Sequence, residues 1–228
     1  MKLSKLPLAA LALAGLASTS SAAIVVGDVI GFDFGTDAGS ATNFNIDAAP
    51  GNQTFTDVIN TSGTVLTGVD FTFSNTPANS GDGGDSNISS DYSSVFPNAA
   101  QNDAFFESNA GQWTLTFSGL DDSLSYDLTI GSYWAGGTAA QKENRNTGWE
   151  VDGVQLGTVA DSLSDSYVNF TNLSTDGSGN LVISTYDLNA NTISTLSALT
   201  LTAVAVPEPS STALLGLGGL ALILRRRK

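Results

Sequence analysis

Between positions 24 and 206 the apolar residues recur at every second position in short runs, and no run of useful length follows a 3.6-residue period. The clearest run is Gln112-Trp113-Thr114-Leu115-Thr116-Phe117, in which Trp113, Leu115 and Phe117 share one face. Alternation of this kind describes a strand with one face in a core, and it assigns Trp113 to that core. Tyr126-Asp127-Leu128-Thr129-Ile130 alternates again after the turn residues 119–123, so 112–133 is expected to form a β-hairpin. Further strands are expected over 24–34, 64–73, 149–151, 167–170, 181–183 and 199–201, about eight to ten in all. Gly, Asn, Asp and Ser separate them, residues that turns select for their backbone conformations and local hydrogen bonds. The stretch 78–104, which includes Gly81-Asp82-Gly83-Gly84-Asp85, is expected to be a long polar loop, and no internal repeat is visible. Strands at this spacing predict one all-β domain, a sandwich or barrel, and about 180 residues suffice for a single core.

The two ends follow other patterns. Lys2 and Lys5 precede an apolar run over 6–16, and 18–23 supplies small residues. That order of charge, apolar run and small residues predicts a secretory signal peptide over 1–23, cut after Ala22 or Ala23 by signal peptidase once the secretion machinery has engaged it. At the other end Val206-Pro207-Glu208-Pro209 forbids helix or central strand, because two prolines remove backbone donors, so the folded domain ends near 205. Residues 212–224 carry no charge and are followed by Arg225, Arg226, Arg227 and Lys228. Thirteen residues of helix span about 20 Å, short of a bilayer core of about 30 Å, and snorkelling of the terminal cations makes up part of the difference. The cationic end stays on the cytoplasmic side, which puts the domain outside.

Val206-Pro207-Glu208-Pro209, a short apolar helix and the basic stop Arg225 to Lys228 resemble the PEP-CTERM sorting signal. The resemblance implies export, a membrane-anchored intermediate held through the C-terminal helix, and recognition by an exosortase. It further implies a final location at the cell surface or in the extracellular matrix of a Gram-negative-type bacterium. The chain is thereby divided into a signal peptide (1–23), a β-sandwich domain (24–205) and a sorting tail (206–228). Within the domain, Phe32-Asp33-Phe34-Gly35-Thr36, Leu115-Thr116-Phe117-Ser118-Gly119-Leu120-Asp121, Tyr126-Asp127-Leu128, Asn144-Arg145-Asn146-Thr147, Val151-Asp152-Gly153-Val154, Leu181-Val182-Ile183 and Leu196-Ser197-Ala198-Leu199-Thr200-Leu201 follow one another. In that order they are similar to galactose-binding-like and malectin-like jelly rolls. This second resemblance implies an antiparallel two-sheet jelly-roll sandwich, an architecture frequent in carbohydrate-binding modules.

Composition narrows the chemistry. The chain has 228 residues with no Cys and no His, which excludes a Ser-His-Asp or Cys-His nucleophile system and the usual ligands of zinc, haem and iron–sulfur clusters. Between Ala23 and Val206 the cations are Lys142 and Arg145 alone, while all 22 acids but Glu208 lie there, a charge of −19. Such a surface repels nucleic acid. No organic cofactor is expected. Calcium, which takes carboxylate and carbonyl oxygens, is the one metal that the composition favours, with Asp82, Asp85 and Asp187 as candidate ligands.

A sugar site needs an aromatic face and a few polar groups. Tyr133-Trp134 precede an amide-rich segment carrying Asn144 and Arg145, and Trp149 follows. These five residues are the candidate ligand site, with Trp134 as its platform; packing in the core or at its rim is the other reading of Trp134 and Trp149. The expected function is that of a non-enzymatic exported surface or matrix protein associated with extracellular polysaccharide. Two alternatives share the scaffold: a polysaccharide-processing enzyme acting through carboxylates alone, and a purely structural coat protein.

Overall fold

The computed structural model describes residues 23–35, 41–47, 51–75, 79–82, 95–97, 103–108, 113–132, 146–153, 155–160, 167–186 and 193–206. The expected signal and tail helices, and the candidates Tyr133, Trp134, Asn144, Arg145, Asp85 and Asp187, lie outside these residues, as do Pro207, Glu208, Pro209 and the basic stop. Among the described residues no helix is long and apolar enough to cross a membrane.

Fourteen strands are formed among the described residues: β1 (Val29–Phe34), β2 (Asn45–Asp47), β3 (Gln53–Phe55), β4 (Asp70–Ser74), β5 (Asn79–Asp82), β6 (Asp103–Ser108), β7 (Thr114–Ser118), β8 (Leu124–Gly131), β9 (Asn146–Val151), β10 (Gln155–Ala160), β11 (Tyr167–Leu173), β12 (Leu181–Tyr186), β13 (Ile193–Leu196) and β14 (Ala198–Ala205). They make a five-stranded sheet, β11-β8-β14-β1-β2, a six-stranded sheet, β10-β9-β12-β7-β4-β3, and a small sheet, β13-β6-β5. Pairing is antiparallel except between β1 and β2, where Phe32 to Phe34 run parallel to Asn45 to Asp47. The rows β1-β14-β8-β11 and β7-β12-β9-β10 have jelly-roll order, with β3 and β4 added beside β7 and the chain crossing between sheets at most connections. The jelly-roll sandwich expected from the sequence is therefore present.

Several local expectations are corrected. The segment 112–133 is not a hairpin: β7 pairs with β4 and β12 in one sheet, whereas β8 pairs with β14 and β11 in the other. Two alternating strands joined by a short turn look the same in sequence whether they pair side by side or face each other across a core. Here both apolar faces point inward from opposite sheets. The 78–104 stretch is not one loop, since its ends form β5 and the start of β6, which pair over Asn79↔Phe106 to Asp82↔Asp103. The first strand begins at Val29 because residues 25–28 form a turn, in which the Asp28 N–H donates to the Val25 carbonyl at 3.0 Å. Residues 64–69 likewise precede β4, with Val65 in an isolated bridge to Ile59 and a turn at Thr67-Gly68, and the strand count exceeds eight to ten because β2, β3, β5, β6 and β13 are short or carry broken alternation.

The core lies between the two large sheets. Phe32 of β1 meets Phe71 of β4 at a ring-centroid distance of 4.0 Å and Phe117 of β7 at 5.9 Å, edge-on. Phe34 reaches Phe73 at 5.8 Å and Phe105 of β6 at 6.0 Å, which ties the small sheet to the sandwich. Such aromatic pairs add about 0.5–1.5 kcal/mol each beyond the area they bury. Leu115, Leu128, Ile130, Leu181, Ile183, Leu199 and Leu201 fill the remaining inward positions. A second, smaller cluster covers the outer face of the five-stranded sheet, where the Phe44 ring lies so close to Gly31 that a Cβ there would meet it at 2.7 Å. That contact is why β1 needs glycine at position 31.

Candidate functional site at the open end of the sandwich

Strand polarity sorts the connections onto two ends. The turns 119–123, 152–154 and 174–180 join strands at one end, together with the entry to β1 and the exit from β14. The segments 132–145, 161–166 and 187–192 join strands at the other end, named the open end only because those connections, Ser132 aside, lie outside the described residues, and β13 also enters there.

The open end has a buried polar floor. Thr147, at the start of β9, accepts the Thr195 N–H at its Oγ1 (3.0 Å), and the Thr195 hydroxyl donates to the Ser132 carbonyl at 2.8 Å. The Trp149 Nε1–H donates to Ser132 Oγ at 3.3 Å. The Thr185 Oγ1 accepts the Trp113 N–H at 2.8 Å. Ser197 links three strands at the bend between β13 and β14: its N–H donates to the Gly131 carbonyl and its carbonyl accepts the Phe34 N–H, both at 2.9 Å. Ser132, Thr147, Thr185, Ser194, Thr195 and Ser197 are all buried, as are the carboxylates Asp33 and Asp47 at the same end of β1 and β2. Among the described residues the Trp113 Nε1–H has no hydrogen-bond partner although its ring is fully buried. An orphaned buried donor is costly, about 1–3 kcal/mol, so this is an uncommon feature at the base of the end.

The sequence candidates distribute unevenly over this geometry. Trp149 is fully buried, its ring edge-on to Trp113 at 6.4 Å and its indole N–H satisfied by Ser132, so it is a core residue and offers no face to a ligand. The cause is the register of β9, which points Trp149 inward beside Thr185 of β12. Trp113 is in the core as expected. Tyr133, Trp134, Asn144 and Arg145 belong to the segment that leaves β8 just after Ser132 and returns to β9 just before Thr147, both ends of which are held in the polar floor. Asp82 ends β5 in register with Asp103 of β6. Among the described residues no group of three or more acids is placed to hold a metal ion. The floor hydroxyls themselves were not singled out by sequence; the one signal was Ser194-Thr195 and Ser197, polar positions inside an otherwise apolar run.

The opposite end uses its acids as turn acceptors. The Asp121 carboxylate takes the Ser123 hydroxyl at 2.7 Å and the Ser123 N–H at 2.8 Å, and this holds its pKa below the usual carboxylate value. Asp176 takes the Asn180 amide and the N–H groups of Asn180 and Ser178, with the same effect. Asp152 goes the other way: burial raises its pKa, outweighing the Val182 N–H that it accepts. Tyr126 closes the turn between the two sheets, accepting the Asp121 N–H at 2.9 Å and donating to the Asp121 carbonyl at 3.0 Å. Its burial pushes the phenol up to about 12.

Residues 205–228 match the PEP-CTERM protein-sorting motif, so the chain carries the sorting signal of an exported, exosortase-processed protein. The motif begins at Ala205, the last residue of β14. None of the curated proteins matches the chain in sequence. Among solved structures the chain is similar to protein YXIM from Bacillus subtilis, at 16% identity and a TM-score of 0.43 over 78% of this chain; it spans 40% of that protein's length. It is also similar to CBM35 from Cellvibrio japonicus Abf62, at 18% identity and a TM-score of 0.26 over 47% of this chain and 72% of that one.

Proposed function

We propose that the mature protein is a non-enzymatic surface or matrix protein that binds extracellular polysaccharide through the open end of its sandwich. The observation that carries this reading is the buried hydroxyl floor formed by Ser132, Thr147 and Thr195, because it anchors both ends of the segment containing Tyr133, Trp134, Asn144 and Arg145. A ligand site gains precision when its binding groups spring from rigid elements. An aromatic face, amides and one guanidinium suit a sugar's C–H face and hydroxyls. The charge of −19 between Ala23 and Val206 favours a neutral or cation-bridged polymer over a polyanion.

A glycan array probed with the exported protein tests this directly. Binding should be weak, on the order of micromolar to millimolar for one module. Trp134→Ala should abolish it while melting stays within a degree or two of the parent. If Trp134→Ala destabilises the domain as a core truncation does, or if no glycan binds, the sugar-binding reading is withdrawn and a structural coat protein takes its place.

A further inference from the structure

Three of the five large exposed apolar side chains among the described residues belong to the turn that enters β1 and to the exit of β14, from which the sorting tail leaves. Val25 and Val26 are 59% and 55% exposed, and Val206 is 47% exposed. The two N-terminal valines are not on a frayed end. The Asp28 carboxylate accepts the Val25 N–H at 2.8 Å and the Asn60 amide at 2.7 Å. The Gly27 N–H donates to the Ala203 carbonyl, and the Ala203 N–H to the Asp28 carbonyl, each at 2.9 Å. This turn is therefore stapled to β14 three residues before Val206, and it holds two adjacent valines in solvent, as contiguous apolar groups at an interaction site are held.

We propose that Val25, Val26 and Val206 form a docking patch for the membrane enzyme that reads the sorting tail. The inference rests on the sorting motif and is independent of polysaccharide binding. Its first support is reach. The motif starts within β14, which stays paired to β8 up to Ala205↔Leu124, so no linker separates the sandwich from Pro207. Residues 207–211 can extend at most about 17 Å before the apolar segment begins. An enzyme that grips Pro207-Glu208-Pro209 must then come against the surface from which the chain emerges. The second support is charge. Asp28, Asp121 and Asp122 lie in the turns of this end, and no Lys or Arg falls among the described residues. An acidic end repels an anionic bilayer, which favours a protein partner with an apolar contact over the lipid surface itself.

The test uses the full-length chain co-expressed with its sorting enzyme, with intact mass reading both termini. Val25→Asp combined with Val26→Asp should slow tail removal about tenfold, while the mass at the N terminus shows signal removal unchanged. Six Gly and Ser residues inserted between Val206 and Pro207 should slow it several-fold without touching the fold. Ile46→Asp, at an exposed apolar position on β2, should leave it within twofold of the parent. Processing within twofold of the parent for both the double variant and the insertion would overturn the proposal, as would an equal loss in Ile46→Asp. Binding of the tail-processed protein to anionic vesicles that the double variant abolishes would overturn it in favour of a lipid contact.

Discussion

At the tight-turn end, polar side chains bond both close by and far off in the chain: Asp121 to Ser123, and Asp176 to Ser178 and Asn180, within four residues, but Asp28 to Asn60 across 32 and Asp122 to Thr175 and Gly179 across 53 and 57. At the open end they bond far away, Thr195 to Thr147 across 48 residues and to Ser132 across 63. The local kind of bond forms as soon as the turn does and would exist in a short peptide. The long-range kind exists only when the sandwich is closed, so it reports tertiary structure, and at the open end it holds the bases of the segments that join strands there. The acids also divide by role. At the tight end Asp28, Asp121, Asp122, Asp152 and Asp176 are spent as acceptors for backbone, amide and hydroxyl donors. The sugar site that we propose is at the other end, where the Thr195 N–H and hydroxyl join Thr147 to Ser132.

The largest expected effects would come from breaking the core beneath the open end. Trp113→Ala and Trp149→Ala each remove a fully buried indole from an edge-on pair, and each should cost about 3–5 kcal/mol. Replacement by Phe separates the two. Trp149→Phe deletes a donor that Ser132 uses, whereas Trp113→Phe deletes an N–H with no partner among the described residues. Denaturant melts should therefore show Trp113→Phe as the milder of the pair. If Trp113→Phe is the more damaging, its indole N–H is engaged after all and the orphaned-donor description of the floor is wrong.

What could be read in the sequence follows the same division. Strict alternation in 113–117, 126–130 and 181–183 placed Trp113, Phe117, Leu128 and Ile183 correctly in the core, because a half-buried strand has only one periodicity available to it. Pairing partners were not legible. The 112–133 segment satisfied every local criterion of a hairpin, and only the packing of its two faces against each other across the core distinguishes a crossing from a hairpin. Trp149 could not be assigned from its own neighbourhood either, since its burial depends on Thr185 and Ser132, both distant in sequence. The sorting tail was the most legible part, because its signal is a contiguous run read by a partner rather than a product of folding.

A middle-sized effect would sharpen the account of the tight end. Gly119 has a φ of +74°, and a Cβ built on it would lie 1.8 Å from the Gly68 carbonyl oxygen. Gly119→Ala must push two turns apart, for which overpacking costs about 1–3 kcal/mol and the left-handed backbone about 1 kcal/mol more. A clear loss in melting temperature, with Trp fluorescence of the folded state unchanged, is expected. An alanine tolerated within a few tenths of a kcal/mol would mean that the tight end is looser than the turn-to-turn contacts imply.

The smallest effects concern proton binding at the same end. Asp121 and Asp176 have pKa values held below their ordinary range in the folded state by the donors around them. The contribution of a depressed carboxylate is present above the unfolded pKa, near 3.8, and is lost as pH falls through the lower folded value. Asp152 has the opposite sign: burial raises its folded pKa, so its ionised form weakens the fold near neutrality and protonation on acidification relieves it. Melting curves of Asp121→Asn and Asp176→Asn should then lie below the parent at pH 7 and converge with it below pH 4. Asp152→Asn keeps an oxygen for the Val182 N–H and removes the charge that Asp176 opposes, so it should melt at or slightly above the parent at pH 7. The gap between Asp152→Asn and the parent should close on acidification. A drop at pH 7 in Asp152→Asn matching that of Asp121→Asn would show that its carboxylate is a favourable acceptor like the others, and the distinction between acids that hold the turns and one that strains them would fall.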